Sequence, residues 1–441
     1  MKKIKCAVVG YGDRGFCYAE YATQKPDELE IVAVVDPNPV RQDIAKVKFG
    51  LNEKQIYTDL DAFLADKVEA DVVINATMDN LHYETAMKLL DNGYNLLLEK
   101  PITSNPKELF DIQKTAEKKG LKVVICHVLR YTPFYRKIKE IIDSEKIGKV
   151  VDMQLNEHVW HGHFVNAYVR GKWRSEKECG SGFLIAKCCH DTDLMCWLNN
   201  TTVPTEVSSF GSRATYCPEN APKGATEYCY DCPHKDICVF DAMRFELVMD
   251  CCPQYTWASL KKPISEITEE EKIAFLKKDV YGKCVYNTGM DIVDRQCVAV
   301  NFANGSIGTL NMVGGASKAG RHIHVICEYG EIIGYIEDNK IIYREYNKEL
   351  SNIKYLNDDM THADTVIEIG EDFSDKDNSV TGHYGGDYYI MKDLVRFLNG
   401  AATSVSTTTI ADSVNSHLIC YAAEESRLNK KIVNLQETYG K

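Results

Sequence analysis

The chain has 441 residues, a formal net charge of −12, 44% hydrophobic and 26% charged residues, and 17 cysteines. The length exceeds one ordinary hydrophobic core and predicts two domains, and the acidic balance argues against nucleic acid and anionic membrane surfaces, which attract basic patches. No apolar stretch reaches membrane-spanning length, and Met1-Lys2-Lys3 leads straight into a strand-like segment, so the expected location is the cytoplasm, with the cysteines as buried thiols or metal ligands rather than disulfides.

Ile4–Val9 reads as a buried strand. It runs into Gly10-Tyr11-Gly12-Asp13-Arg14-Gly15, then a helix-forming stretch, Phe16–Thr23, then a second strand-like run, Leu29–Val35, that ends on Asp36. This is G-x-G-x-x-G in the strand–turn–helix context that makes it a dinucleotide fingerprint. Gly10 allows the tight turn, Gly12 lets backbone approach a pyrophosphate, and Gly15 lets helix lie close on strand. Asp13 and Arg14 sit inside the same loop and count as cofactor candidates. Asp36 is placed to accept hydrogen bonds from a ribose diol; its charge would repel a 2′-phosphate and favours NAD, while nearby Arg41 keeps NADP open.

Further candidate strands at Val72–Ala76, Asn95–Leu98 and Lys122–Cys126 alternate with helical patterns at Val40–Lys48, Leu60–Ala65, Tyr83–Asn92 and Lys107–Lys118. The alternation predicts an α/β Rossmann domain, a doubly wound parallel sheet, over residues 1–126. Ligands of such sheets sit beyond the strand C-terminal ends. That rule points to Ala76, Thr77, Asn80 and His82 after one strand, and to Glu99-Lys100-Pro101 after the next. Small residues at 76 and 77 let a cofactor approach, and a lysine at the crevice edge is a candidate proton relay. A helix cap at Asn80, a packed His82 and a plain surface lysine are the competing readings.

Beyond residue 126 the pattern changes to hairpins. Val150–Glu157, Val203–Ser212, Gln296–Phe302, Ser306–Met312, His322–Glu328 and Glu331–Gly334 read as strands, with turn signals such as Asn304-Gly305. An α+β domain over residues 127–441 with a mostly antiparallel, open-faced sheet is expected. Gly180-Ser181-Gly182 leads into a helix carrying Lys187, His190, Asp191 and Asp193. A neutral histidine is suited to take a hydroxyl proton near neutral pH. Candidate pocket residues follow from local chemistry: Trp160 to stack on a sugar face, His161 and His163 to hydrogen-bond hydroxyls, Trp173 and Arg174 beside Arg170 and Lys172, and His383 with Asp387 in a glycine-rich loop.

Two insertions interrupt this domain. Pro253–Tyr281 carries a charge run that reads as a solvated helix. The other, Tyr216–Cys238, holds Cys217, Cys229, Cys232 and Cys238. One C-x-x-C pair with two further cysteines suits a structural zinc; an iron–sulfur cluster and unligated buried thiols are the alternatives.

On Gly10-Tyr11-Gly12-Asp13-Arg14-Gly15, Asp36-Pro37-Asn38, Ala76-Thr77 with His82, Glu99-Lys100-Pro101, and Gly180-Ser181-Gly182 with His190-Asp191-Thr192-Asp193, the chain resembles the glucose–fructose oxidoreductase / inositol dehydrogenase (Gfo/Idh/MocA) family. The resemblance spans nearly the whole chain and implies an N-terminal Rossmann domain joined to an open-faced sheet, often as dimers or tetramers. It implies that Lys100 contacts nicotinamide and substrate and that His190 is the acid/base. Two positions depart from it. Many polyol dehydrogenases of the family carry an aspartate four residues before the histidine, where this chain has Ala186. The usual asparagine before the arginine–aromatic pair is His127, ahead of Arg130-Tyr131. Lys187 or His127 then becomes a candidate for the proton path, and His127, Arg130 and Asp191 for the substrate pocket. The expected activity is hydride transfer between NAD and a hydroxyl carbon of a sugar or cyclic polyol. The alternatives are a redox-assisted glycosidase or lyase acting on a glycoside, and a non-catalytic cofactor-binding sensor.

Overall fold

The computed structural model describes residues 2–346, 362–370 and 383–440. Six strands form the first sheet: β1 (Ile4–Val9), β2 (Leu29–Val35), β3 (Ile56–Tyr57), β4 (Val72–Asn75), β5 (Asn95–Leu98) and β6 (Val123–Ile125). Their order is β3-β2-β1-β4-β5-β6, and every pair is parallel. The unbroken Val/Ile/Leu runs follow from this, because a parallel sheet covered by helices on both faces leaves no polar side. The order reverses between β1 and β4, and a crevice opens there above the strand C-termini.

The helix after β1 is not the single stretch expected. It spans Asp13–Ala19 and resumes at Tyr21–Gln24. A larger difference is at the other end of the chain. The helix Gly386–Leu398 buries Ile390, Met391, Leu394 and Val395 against Val8, Tyr18 and Tyr21. Ile125 also donates its N–H to the Thr408 carbonyl at 2.8 Å. The first domain is therefore completed by C-terminal residues, so a cut at residue 126 does not separate two independent cores.

The second sheet has nine strands: β7 (Val150–Trp160), β8 (Pro204–Ser212), β9 (Arg295–Phe302), β10 (Ile307–Ala316), β11 (Gly320–Cys327), β12 (Gly330–Tyr335), β13 (Lys340–Tyr346), β14 (His362–Glu368) and β15 (Val433–Asn434). The order is β14-β13-β12-β11-β7-β10-β9-β8-β15, with one parallel pair, β7 and β10, among antiparallel ones. Strands β14 and β15 lie at the edges and β13 one place in from β14, where charged side chains dilute the alternation that reveals a half-buried strand. Two helices, Phe183–Leu198 and Ile410–Asn429, cover the inner face. The first is buried on nearly all sides because sheet, first domain and second helix enclose it. Among the described residues no helix is long and apolar enough to cross a membrane.

Candidate active site

The glycine loop is shaped by its neighbours. Gly10 has φ +86°, and a Cβ on it would stand 2.4 Å from the Ala76 carbonyl oxygen; one on Gly15 would stand 2.1 Å from the carbonyl oxygen of Gly10. A Cβ on Gly12 would meet only the Arg41 guanidinium, in ordinary contact at 3.6 Å, so no backbone closes this side of the loop. An open backbone edge at the second glycine, between two sterically forced ones, fits the pyrophosphate of a dinucleotide. Asp36 is 1% exposed; its carboxylate accepts from the Tyr11 and Asn38 N–H groups at 2.9 and 2.8 Å, with Arg41 Nη1 at 3.4 Å. Asp13 accepts from the Tyr255 hydroxyl at 3.4 Å, which brings the second insertion onto the loop.

Other expected cofactor contacts are also tied into the scaffold. Arg14 turns away from the open edge: it reaches Glu99 at 3.1 Å, Asp387 at 2.5 Å and the Tyr18 hydroxyl at 2.6 Å. Burial alone would raise the pKa of Glu99 and Asp387, but Arg14 holds both below the ordinary carboxylate range. His82 is 1% exposed, between the carbonyls of Pro101 at 2.6 Å and Thr77 at 3.2 Å. Thr77 donates to Asn75 at 3.2 Å. Asn80 lies against Gly180, where a Cβ would come within 2.7 Å, so the glycine-rich turn of the second domain is a docking point for the first.

The two domains bring Lys100 and His190 together. Lys100, just beyond β5, donates its ammonium to the Ala186 carbonyl at 3.1 Å, one helical turn before His190. His190 is 4% exposed, and its Nδ1 is buried without a partner. Burial first, then Lys100, His127, Arg321 and His383, push its pKa well below the ordinary imidazole value, so the ring is neutral. His383 lies 6.1 Å from it, ring to ring, and is 3.3 Å from Asp387. His163 faces Lys187, His383, Lys100 and Arg321 and, chiefly through burial, is pushed down to about 3. Lys187 is lowered by burial and lies 3.6 Å from Glu157.

Glu157 and Arg321 escaped sequence reasoning. They are opposite residues of β7 and β11 and pair at 2.6 Å; only the strand register, which the sequence does not carry, makes them neighbours. Arg321 also holds Asp191 at 3.0 Å. Asp191 is 1% exposed, and burial raises it to about 6. It therefore lies behind the pocket wall.

Trp173 spans the crevice by donating to Asp79 at 3.1 Å, and the Lys172 ammonium sits 4.2 Å over its ring. Five expected pocket residues are packed or paired within the protein. Arg174 is taken by Glu178 at 2.7 Å. Arg130, 4% exposed, forms a two-pronged pair with Asp193 at 2.6 and 2.5 Å. His127 is 1% exposed, behind His190 rather than in front of it. Trp160 ends β7 and His161 opens the short helix His161–Phe164; the indole lies over Gly162, and His161 rests between Trp160 and Phe245.

The expected thiolate site needs correction. Among the described residues no three His, Cys, Asp or Glu side chains are arranged to hold a metal ion. Cys217 turns toward the Ala214 carbonyl and Asn220. Cys229 faces the Lys283 carbonyl and receives the Arg170 guanidinium, and it lines a small cavity together with Cys232, Cys238 and Cys284. Structural zinc on Cys217, Cys229, Cys232 and Cys238 is not supported.

The profile of the oxidoreductase family with NAD-binding Rossmann fold matches residues 4–127, and that of the GFO/IDH/MocA C-terminal domain matches residues 135–228. The chain is similar to the putative oxidoreductase YteT of Bacillus subtilis, 25% identical over 83% of this chain and 82% of that one. It is also 27% identical, over 49% of this chain and 54% of the other, to the 2,7-anhydro-N-acetylneuraminate hydratase of Mediterraneibacter gnavus. Among solved structures, an oxidoreductase from Agrobacterium radiobacter in complex with NAD+, L-tartaric acid and magnesium shares the fold. It has a TM-score of 0.68 and 14% identity, with 99% of both chains covered. With matches to both domain profiles, and a parallel sheet and glycine cradle shaped for a dinucleotide, the chain belongs to the GFO/IDH/MocA family of NAD-binding oxidoreductases.

Proposed function

We propose that the protein is an NAD-dependent dehydrogenase that transfers hydride between nicotinamide and a hydroxyl-bearing carbon of a sugar or cyclic polyol. The observation that carries this reading is the meeting of Lys100, from the end of β5, with His190, from the helix of the other domain, at the mouth of the crevice. When bound, NAD supplies the hydride acceptor. The chain does the rest. Lys100 orients and polarises the hydroxyl. His190, neutral at physiological pH, takes its proton. Trp173 and His163 close the pocket and limit water. Holding the reacting carbon over the nicotinamide face supplies much of the acceleration.

The second reading, elimination or hydration by transient oxidation of a ring carbon, is supported by the similarity to a hydratase of an anhydro sugar acid. One experiment separates the two. The protein is incubated with NAD and a panel of polyols, aldoses, uronates and glycosides; absorbance at the NADH band is followed and products are analysed for bond cleavage. Sustained NADH formation matched by ketone or lactone supports the dehydrogenase. Cleavage or hydration at constant NADH supports the second reading. Neither, with any compound, would sink both.

For the cofactor we propose NAD over NADP. Asp36 keeps a buried charge where a 2′-phosphate would lie, and part of its hydrogen-bonding capacity remains for a ribose diol. Replacing Asp36 with alanine should weaken NADH binding by about 1.5–3 kcal/mol, the worth of a charged hydrogen bond. The same change frees Arg41 and should improve NADPH binding. Fluorescence titration of both cofactors checks this; unchanged preference would remove Asp36 as the selector. For assembly we propose a homo-oligomer. Val151, Ile307 and Val313, on adjacent strands β7 and β10, are 47%, 48% and 38% exposed, apolar positions set among polar ones on the open face of the sheet, where a second copy would dock.

A further inference from the structure

Resting on the dehydrogenase reading, we infer that His127 is a positioning and relay residue behind His190. Backed by Asp193, it receives the proton that His190 displaces when it takes up the substrate's hydroxyl proton.

The need for such a residue comes from what surrounds His190. The titratable and charged groups that face it are Lys100 beyond β5, His127 beyond β6, Arg321 on β11 and His383 ahead of the helix Gly386–Leu398. None is a carboxylate. Its own helix has alanine at position 186, one turn earlier on the same face, and its two carboxylates, Asp191 and Asp193, are held by Arg321 and Arg130. An imidazole that accepts a proton there becomes a buried cation among cations, without a counter-charge. In low dielectric that state is costly unless charge passes to a paired site.

His127 has the attributes of that site. It is 1% exposed, and neither Nδ1 nor Nε2 has a hydrogen-bond partner among the described residues. Two orphaned nitrogens on a buried ring are expensive and invite a functional explanation. Its ring lies 5.7 Å from that of His190 at 79°, edge to face, close enough for transfer directly after a small shift or through one water. The His190 atom left without a partner is Nδ1. On the other side, His127 Nε2 is 3.8 Å from Asp193 Oδ1.

The remaining groups that face His127 are Arg130, Lys100, Glu99, His190 and His417. Arg130 and Lys100 disfavour its cation and Glu99 favours it. His417 is no further acceptor: its Nε2 accepts the Ile102 N–H at 3.0 Å, and its Nδ1 is bonded to the Ser413 carbonyl at 2.9 Å. The path therefore ends at His127 and Asp193.

The step balances. The substrate O–H proton passes to Nε2 of His190 while the hydrogen on its Nδ1 moves to His127. The C–H bond breaks, its electron pair leaves with the hydride to nicotinamide, and a C=O bond forms. His190 remains neutral as the other tautomer, and imidazolium His127 faces Asp193. After product leaves, the proton returns through His190 to solvent in the crevice.

The test uses the full-length protein and three variants. In His127→Asn, kcat on the best alcohol of the panel should fall about 10²-fold, the low end of acid–base contributions, with KM and the NADH dissociation constant unchanged. Its kcat should rise again with pH as solvent replaces the relay. Adding Ala186→Asp to His127→Asn places a carboxylate one turn before His190 and should restore at least part of kcat; His127→Phe plus Ala186→Asp keeps the ring volume and guards against a fault of packing alone. A fourth measurement needs no turnover. In substrate-free protein, ¹⁵N signals of His190 should change tautomer population on His127→Asn. Parent-like kcat and unshifted His190 signals would overturn the inference, as would lost kcat without rescue and with unshifted signals. If no alcohol is oxidised at all, the dehydrogenase reading fails, and the His190 signals still decide whether His127 controls that ring.

Discussion

Replacing Lys100 with methionine is expected to lower kcat by about 10²- to 10⁴-fold, the range of acid–base and electrophilic side-chain contributions. The affinity for NADH should stay close to the parent's. The expectation follows from how the ammonium is held. It makes its hydrogen bond to a backbone carbonyl of the other domain, at 3.1 Å, rather than being locked in a close ion pair. The carboxylate beside it, Glu99, is engaged by Arg14, Tyr18 and the Lys100 backbone N–H. The amine therefore remains available to a substrate oxygen, and its removal leaves no buried carboxylate unpaired. His190→Asn should cost a similar factor. The double variant should cost little more than either single change, because two groups that act on one proton are not additive. Single-turnover measurement of NADH formation, with cofactor affinity titrated separately, checks both statements. Equal turnover in Lys100→Met would take the lysine out of the chemistry; additive losses would mean that the two groups act in separate steps.

The first domain was legible because its signals are local. A strand, a glycine loop, a helix and a terminal acid occur in one short stretch, and each has a backbone reason to be there. Gly10 and Gly15 are required by contacts with Ala76 and within the loop itself. What the sequence hid is long-range. Arg14 sits inside the fingerprint, yet its guanidinium is spent on Glu99 and on Asp387, far along the chain. The helix Gly386–Leu398 belongs to the first core although it follows the whole second sheet. The pair Glu157 and Arg321 exists only once β7 and β11 are in register. Nor does residue type alone show that Arg130 and Arg174, both candidates for the substrate pocket, are paired with Asp193 and Glu178. The cysteines of the first insertion had a ligand-like spacing, but spacing fixes neither where each thiol points nor which partner reaches it first.

Acid should destabilise this fold steeply, and well before ordinary carboxylates titrate. His127, His190 and His417 are buried, and each has its pKa driven below the usual imidazole value, mainly by desolvation; for His417 it falls to about 3. His163 is likewise pushed to about 3. For such groups the native state refuses protons that the unfolded chain accepts. Their stabilising contribution is complete above about pH 6.5, the unfolded value, and is lost as pH falls toward the folded values. Each costs about 1.4 kcal/mol per pH unit in that window. Buried acids with a raised pKa, Asp193 among them, work in the opposite sense. Asp191, raised to about 6, and Glu246, raised to about 7, protonate in the native state first, so they favour the fold as pH falls toward about 4. The buried histidines, His383 with them, outweigh these carboxyls and leave a net loss of about 3 kcal/mol between about pH 6.5 and 5, a sizeable part of the 5–15 kcal/mol that holds a typical domain. Asp387 and Glu99, held low by Arg14, add their own loss only below about pH 4. Calorimetry from pH 7 to 5 should therefore show Tm falling by about 3–5 °C. Potentiometric titration across the acid transition should show net proton uptake on unfolding. A flat Tm over that interval would mean that the histidine cluster, and with it the neutral His190 on which the proposed proton transfer depends, titrates like exposed imidazole.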